Sequence, residues 1–207
     1  MHITIVGASN TYAVSFASRA VAAGHHVTIV GPSRGQAEAF ATKIHAATAT
    51  GPNDPIIDNV IFLAMPYNCV LDARGFLGRQ LDGRIVADLT TPIDPETFEP
   101  IQPEAGSAAQ EITKTRPGAR VVKAFSPRFV GPPQVEKNST QQTPDVFLAG
   151  DDVEAKHVIA QLFDEGGLRP IDVGPLRRGR ELEAVGYLSV ATPFSLEGCF
   201  VAGQSQD

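Results

Sequence analysis

Apolar residues in this chain fall into short β-branched runs separated by stretches of helical period. Ile3-Thr4-Ile5-Val6 stops at Gly7, where a chain turns without a Cβ penalty, and reads as a buried parallel strand. Over residues 11–23, Val14, Ala17, Ala20 and Val21 recur at helical spacing, with Gly24 as the stop signal. Val27-Thr28-Ile29-Val30 then leads into Gly31-Pro32-Ser33-Arg34. Two hydrophobic strands therefore flank one crossover helix within about thirty residues, the opening βαβ unit of a Rossmann-type domain.

The alternation continues along the chain. Ala37, Phe40, Ala41 and Ile44 predict a helix over residues 36–45, residues 46–50 a short third strand, and NVIFLAM (59–65) a buried central strand ending at Pro66. Residues 67–81 are expected as one helix covering the sheet through Val70, Leu71, Ala73, Phe76 and Leu77. IVADL is the next strand, followed by Thr90-Thr91-Pro92 and a proline-rich loop. A Ser-capped helix over 107–115, a strand over 120–125, and then DVFLAG, a helix opened by Asp151 or Asp152, LRPIDVG and a last helix over 180–191 complete the pattern.

Such spacing predicts an α/β fold: a Rossmann-type, doubly wound, mainly parallel sheet with a small C-terminal lobe, binding its ligand at the carboxyl ends of the strands. The expected organisation is a dinucleotide-binding core over residues 1–125 and a strand-helix-strand-helix extension over 126–207 within the same compact unit. Residues 126–143 are long, polar and proline-bearing for a connector, which suits a site wall or lid.

Composition narrows the function. Seventeen Lys and Arg against twenty-three Asp and Glu give a formal charge of −6, which argues against a broad nucleic-acid surface. No apolar run approaches the ~20 residues of a membrane span and the chain opens directly on a strand, so a cytoplasmic protein with no membrane partner is expected. Cys69 and Cys199 and the five histidines show no metal-ligand spacing, no metal is expected, and His25-His26 reads as a solvated turn.

In a dinucleotide fold the first turn and the helix after it receive the pyrophosphate. Here that turn is Gly7-Ala8-Ser9-Asn10-Thr11-Tyr12-Ala13, with Asn10 and Ala13 where a G-x-x-G-x-x-G pattern has its second and third glycines. The Asn10 side chain projects where pyrophosphate meets bare backbone, although Ser9, Asn10 and Thr11 are also hydrogen-bond donors to phosphate. The turn is thus open to two readings, phosphate site or purely structural. After the second strand, Ser33-Arg34 stands where an acidic residue would grip the ribose of NAD, and a hydroxyl with a guanidinium suits a 2′-phosphate. NADP is the expected cofactor, against the alternative of a helix cap followed by a solvated arginine.

Several segments together, VGASNTYA, VTIVGPSR, IFLAMP, VADLTTP, AAQEITKTRPGARVVKAF and DVFLAGDDVEAKHVIAQLFDEGGLRPIDVGPL, resemble the coenzyme F-420-dependent NADP oxidoreductase family over nearly the whole chain. The resemblance implies that Ser33 and Arg34 hold the NADP 2′-phosphate and that Met65 and Pro66 border the nicotinamide. It places Thr91 on the cofactor side and Ala124, Phe125, Ser126 and Pro127 in the pocket of the second substrate. Ser126 and Thr91 stand where asparagine is common in the family. The implied activity is hydride transfer between NADP(H) and coenzyme F-420 or a small organic acceptor, with Tyr12 and Ser126 the first candidates for proton donation. A small-molecule substrate and a homodimer through the C-terminal part are also implied, with Leu182, Val185 and Leu188 either as its apolar face or as intrachain core. Two other functions suit the same residues: a redeployed isomerase or cyclase without nicotinamide redox chemistry, and a non-catalytic NADP-binding or partner-binding module.

Overall fold

Eight strands form one sheet in the order β3-β2-β1-β4-β5-β6-β7-β8. The computed structural model describes residues 1–7, 11–44, 47–72, 77–127 and 143–191. The strands are β1 His2–Val6, β2 His26–Val30, β3 Ala47–Thr50, β4 Val60–Leu63, β5 Ile85–Asp88, β6 Arg120–Phe125, β7 Asp145–Gly150 and β8 Arg169–Gly174. The helices are α1 Thr11–Ala22, α2 Arg34–Lys43, α3 Tyr67–Asp72, α4 Ala108–Thr115, α5 Val153–Glu165 and α6 Gly179–Ala191. The first six strands are mutually parallel; β7 pairs antiparallel with β6, and β8 parallel with β7. The predicted mainly parallel sheet is what forms, and β7 and β8 extend it at the β6 edge.

Strand alternation explains the layering. Ile3, Ile5, Val27, Ile29, Phe62, Ala87, Val122 and Ala124 point to the face covered by α1, α2 and α5. Phe16 of α1, Phe62 of β4 and Phe163 of α5 meet there at ring-centroid distances of 4.2, 5.0 and 5.9 Å. Val6, Val30, Ile61, Leu63, Val86 and Val121 face the other way, toward Ala109 and Ile112 of α4. A sheet buried on both faces is built of apolar runs, as in β4.

Two expectations are corrected. The helix expected over 67–81 does not run through to its end: α3 is followed, past residues 73–76, which lie outside the described residues, by a 3-10 turn at Gly78–Leu81. Gly78 has φ +39°, a conformation that right-handed helix does not admit. The His25-His26 turn is not simply solvated either. The His25 ring is largely buried, 3.1 Å from the N-terminal amine and 3.0 Å from Glu165, while His26 stacks on His2 at 4.5 Å. Of the residues expected to offer a dimer face, Leu182 and Val185 pack within the chain beside Phe125, Ala149, Phe147 and Val173, whereas Leu188 is half exposed.

Three helices start as their sequences predict, with Ser33, Ser107 and Asp152 accepting from the backbone N–H three residues on. Asp152 also takes a bidentate contact from Arg120 at 2.6 and 2.9 Å, and that hydrogen bonding holds its carboxyl well below the usual range. Its contribution to stability is therefore complete above the ordinary carboxylate range and fades as pH falls through the folded value. Asp152→Ala is expected to lower unfolding free energy by about 1–2 kcal/mol, chiefly through the lost cap, with Asp152→Asn losing less in a urea titration.

Candidate functional site at the carboxyl edge of the sheet

Strand register aligns the ends from which the predicted site residues project. Val6 stands opposite Val30 and Leu63, Leu63 opposite Asp88, and Asp88 opposite Lys123. Gly7, Gly31, Ala64, Leu89 and Ala124 therefore follow at one common edge of the six parallel strands. This is the edge at which open α/β sheets bind ligands.

Gly7 is held at the centre of that edge. Its N–H donates to the Val30 carbonyl at 2.9 Å, its φ is +101°, and a Cβ built on it would lie 2.5 Å from the Ala64 carbonyl oxygen. Glycine is needed here for packing against β4, independently of any phosphate. Ala13 is fully buried in the core on the α1 face, so its methyl is accommodated at the position of the third glycine. Ala8, Ser9 and Asn10 lie outside the described residues. Thr11 and Tyr12 begin the α1 backbone, their side chains being outside the description as well.

Ser33 and Arg34 lie where β2 delivers them, at the start of α2. The Ser33 hydroxyl accepts from Gln36 N at 3.3 Å as the helix cap, and Arg34 Nη2 donates to Asp54 Oδ2 at 2.6 Å. The structure thus brings both proposed phosphate contacts to the edge and adds a carboxylate to them. Met65 is buried, Pro66 is exposed at the start of α3, and Thr91 is partly exposed after β5. At the β6 end Ala124, Phe125 and Ser126 are buried and Pro127 is partly so. The Ser126 hydroxyl is buried with no hydrogen-bond partner among the described residues. The described part of the 126–143 segment ends at Pro127 and resumes at residue 143.

Directly beneath Thr90 and Thr91 lies a charged cluster that the sequence did not announce. Lys123 of β6 reaches Asp88 Oδ2 at 2.9 Å and Glu183 Oε1 at 3.1 Å, and donates to the Thr90 carbonyl oxygen. These side chains are only 2%, 0% and 5% exposed for lysine, aspartate and glutamate. Asp88 Oδ1 accepts from Thr90 N at 2.9 Å and Thr90 Oγ1 at 2.7 Å, while Glu183 accepts from Ala108 N at 3.0 Å. Burial pulls the Lys123 ammonium down, but the charges of Asp88 and Glu183 and their hydrogen bonds outweigh it, so its pKa is raised. Burial pushes the Glu183 carboxyl up; Lys123 opposes this and Asp88 reinforces it. The cluster ties the end of β5 to β6, to the first turn of α4 and to α6. α6 also brings Gly186 against Thr91 and Phe125, where a Cβ would stand 3.0 Å from Thr91 Oγ1 and 3.2 Å from the Phe125 ring. The local signals were a lysine inside the apolar strand RVVKAF and an aspartate inside IVADL, since a charge buried on both faces of a sheet requires a partner.

Known proteins match this chain both in sequence and in fold. Residues 2–92 match the sequence model of the family described as NADP oxidoreductase, coenzyme F420-dependent. The F420-dependent NADP reductase of Methanocaldococcus jannaschii is 30% identical over 132 residues, covering 61% of this chain and 58% of that protein. Over residues 2–92 the chain is similar to the F420-dependent NADP oxidoreductases. Metalloreductase STEAP3 of Rattus norvegicus is also 30% identical, over 109 residues that cover 53% of this chain and 21% of that protein. The chain thus spans less than two thirds of the length of these curated relatives. In fold, a protein of Arthrobacter sp. FB24 provisionally named as an F420-dependent NADP reductase superposes with a TM-score of 0.74 at 21% identity, covering 90% of each chain. Among the described residues no helix is long and apolar enough to cross a membrane. No group of three or more His, Cys, Asp or Glu side chains there could hold a metal.

Proposed function

We propose that the chain is an NADP(H)-dependent oxidoreductase that exchanges hydride between the nicotinamide and a deazaflavin coenzyme or a small organic acceptor. What carries this reading is a coincidence of position. The family match over residues 2–92 contains Gly7, Ser33, Arg34, Met65, Pro66 and Thr91, and all of them stand on the carboxyl edge of the sheet.

The residues fit such a cofactor. The Arg34 side chain is 60% exposed and among the described residues its guanidinium contacts Asp54, leaving further N–H groups to meet a phosphate. The buried Ser126 hydroxyl has no hydrogen-bond partner among the described residues, and a ligand at the β6 end would supply one. When bound, the nicotinamide supplies the carbon that carries the hydride. The protein's own work is to hold the dinucleotide along the edge, to keep the acceptor in contact with it and to exclude water, for which Met65, Ala124 and Phe125 supply buried apolar surface.

NADPH is expected to raise the melting temperature, and Arg34→Ala to weaken its binding by about ten- to a hundredfold, the worth of a charge-assisted contact. Bleaching of the oxidised deazaflavin on mixing with NADPH and protein reads the transfer itself. Absence of any thermal shift at millimolar NADPH overturns the proposal.

A further inference from the structure

The acidic residue missing from the end of β2 is supplied by its neighbour. β2 and β3 pair in parallel with Val30 opposite Thr50, so Ser33-Arg34 and the turn Gly51–Asp54 leave adjacent strands at the same edge. Asp54 Oδ2 takes the Arg34 contact at 2.6 Å and also accepts from Gly51 N at 2.8 Å, while Asp54 N donates back to the Gly51 carbonyl at 3.2 Å. A turn closed on itself therefore fixes this carboxylate beside the guanidinium. With side chains 60% and 37% exposed, such a pair contributes little to folding stability, and its placement calls for another account.

We propose that Asp54 sets the cofactor preference of the site by standing against Arg34 and limiting its selectivity for NADPH over NADH. This rests on the dinucleotide reading given above. The chemistry is that of two opposed recognition groups in one place. A guanidinium favours a 2′-phosphate, whereas a carboxylate accepts hydrogen bonds from free ribose hydroxyls and repels the phosphate. In the unliganded protein Asp54 occupies part of the donor surface of Arg34. A 2′-phosphate must share or displace it, while an unphosphorylated ribose finds an acceptor already in place. Dinucleotide choice then depends on the balance between residues that follow two adjacent strands.

Asp54→Asn is the test, since an amide oxygen still accepts from Gly51 N–H while the charge is gone. Dissociation constants for NADPH and NADH are measured on the full chain by calorimetry, for the wild type and the variant, with the unliganded melting temperature as the control for folding. The preference for NADPH over NADH is expected to rise about tenfold in Asp54→Asn, through tighter NADPH and weaker NADH binding, as loss of a charged contact implies. Asp54→Ser, which removes the charge by a different side chain, is expected to move the ratio in the same direction. An unchanged ratio, or weaker NADPH binding in both variants, means that Asp54 merely orients Arg34 and overturns this inference alone. A wild type that binds neither dinucleotide overturns the cofactor reading and this inference with it.

Discussion

Lys123→Met is expected to destabilise the protein by about 3–5 kcal/mol at neutral pH, because it leaves two carboxylates buried with no cation between them. Asp88 and Glu183 both lie within hydrogen-bonding distance of the lysine, and the Thr90 carbonyl loses a donor at the same time. Removing one charge as well relieves the repulsion, so Lys123→Met with Glu183→Gln is expected to be more stable than Lys123→Met alone. Such a reversal is what separates unpaired charge from lost packing. The pH dependence has a definite sign. Burial, first, and the Asp88 charge raise the Glu183 carboxyl above its unfolded value. Its stabilising share is therefore full below the unfolded carboxylate pKa and is lost as pH rises through the folded one. Urea unfolding of the wild type and Glu183→Gln across that window is expected to show the decline only in the wild type. A Lys123→Met protein as stable as the wild type at pH 7 would mean that the cluster does not hold these elements together.

Gly7→Ala is expected to cost about 3 kcal/mol or more, combining the strain of a positive φ with a collision against backbone. The added Cβ would lie 2.5 Å from the Ala64 carbonyl oxygen and 2.7 Å from its carbonyl carbon, and neither atom can move without disturbing β4. For a chain of this size that amounts to a fall of roughly 10 °C in melting temperature by calorimetry. Gly24→Ala provides the contrast: its φ is +83°, but nothing lies within 4 Å of the added methyl, so only the conformational part of the cost remains. Equal losses at the two glycines would remove the packing argument for Gly7.

What the sequence displayed and what it hid follow from the range of the interactions. Caps such as Ser33, Ser107 and Asp152 bond within three residues, and the β-branched run of β1 and the apolar run of β4 are continuous, so both were legible by inspection. Asp88, Lys123 and Glu183 come from three distant parts of the chain, and only the β5–β6 register and the seating of α6 make them one cluster. Arg34 was visible as a candidate phosphate ligand. Its counter-charge was not, because Asp54 enters from the strand beside β2 and lies within a turn that reads as ordinary loop sequence. Gly186 likewise looks like a weak point in a helix until Thr91 and Phe125 are placed against it.

The reversal of strand direction at β7 also bears on how such a protein can change over evolutionary time. Phe125 near the end of β6 pairs with Phe147 near the start of β7, so the chain between them departs from and re-enters the sheet at facing positions. A connection between facing positions can be lengthened, shortened or exchanged at little thermodynamic cost, since each doubling of a closed segment adds only about 0.6 kcal/mol. The register of the parallel strands need not shift when it does. The fold therefore offers descendants of this chain a place to change sequence after β6 while the parallel strands are inherited unaltered.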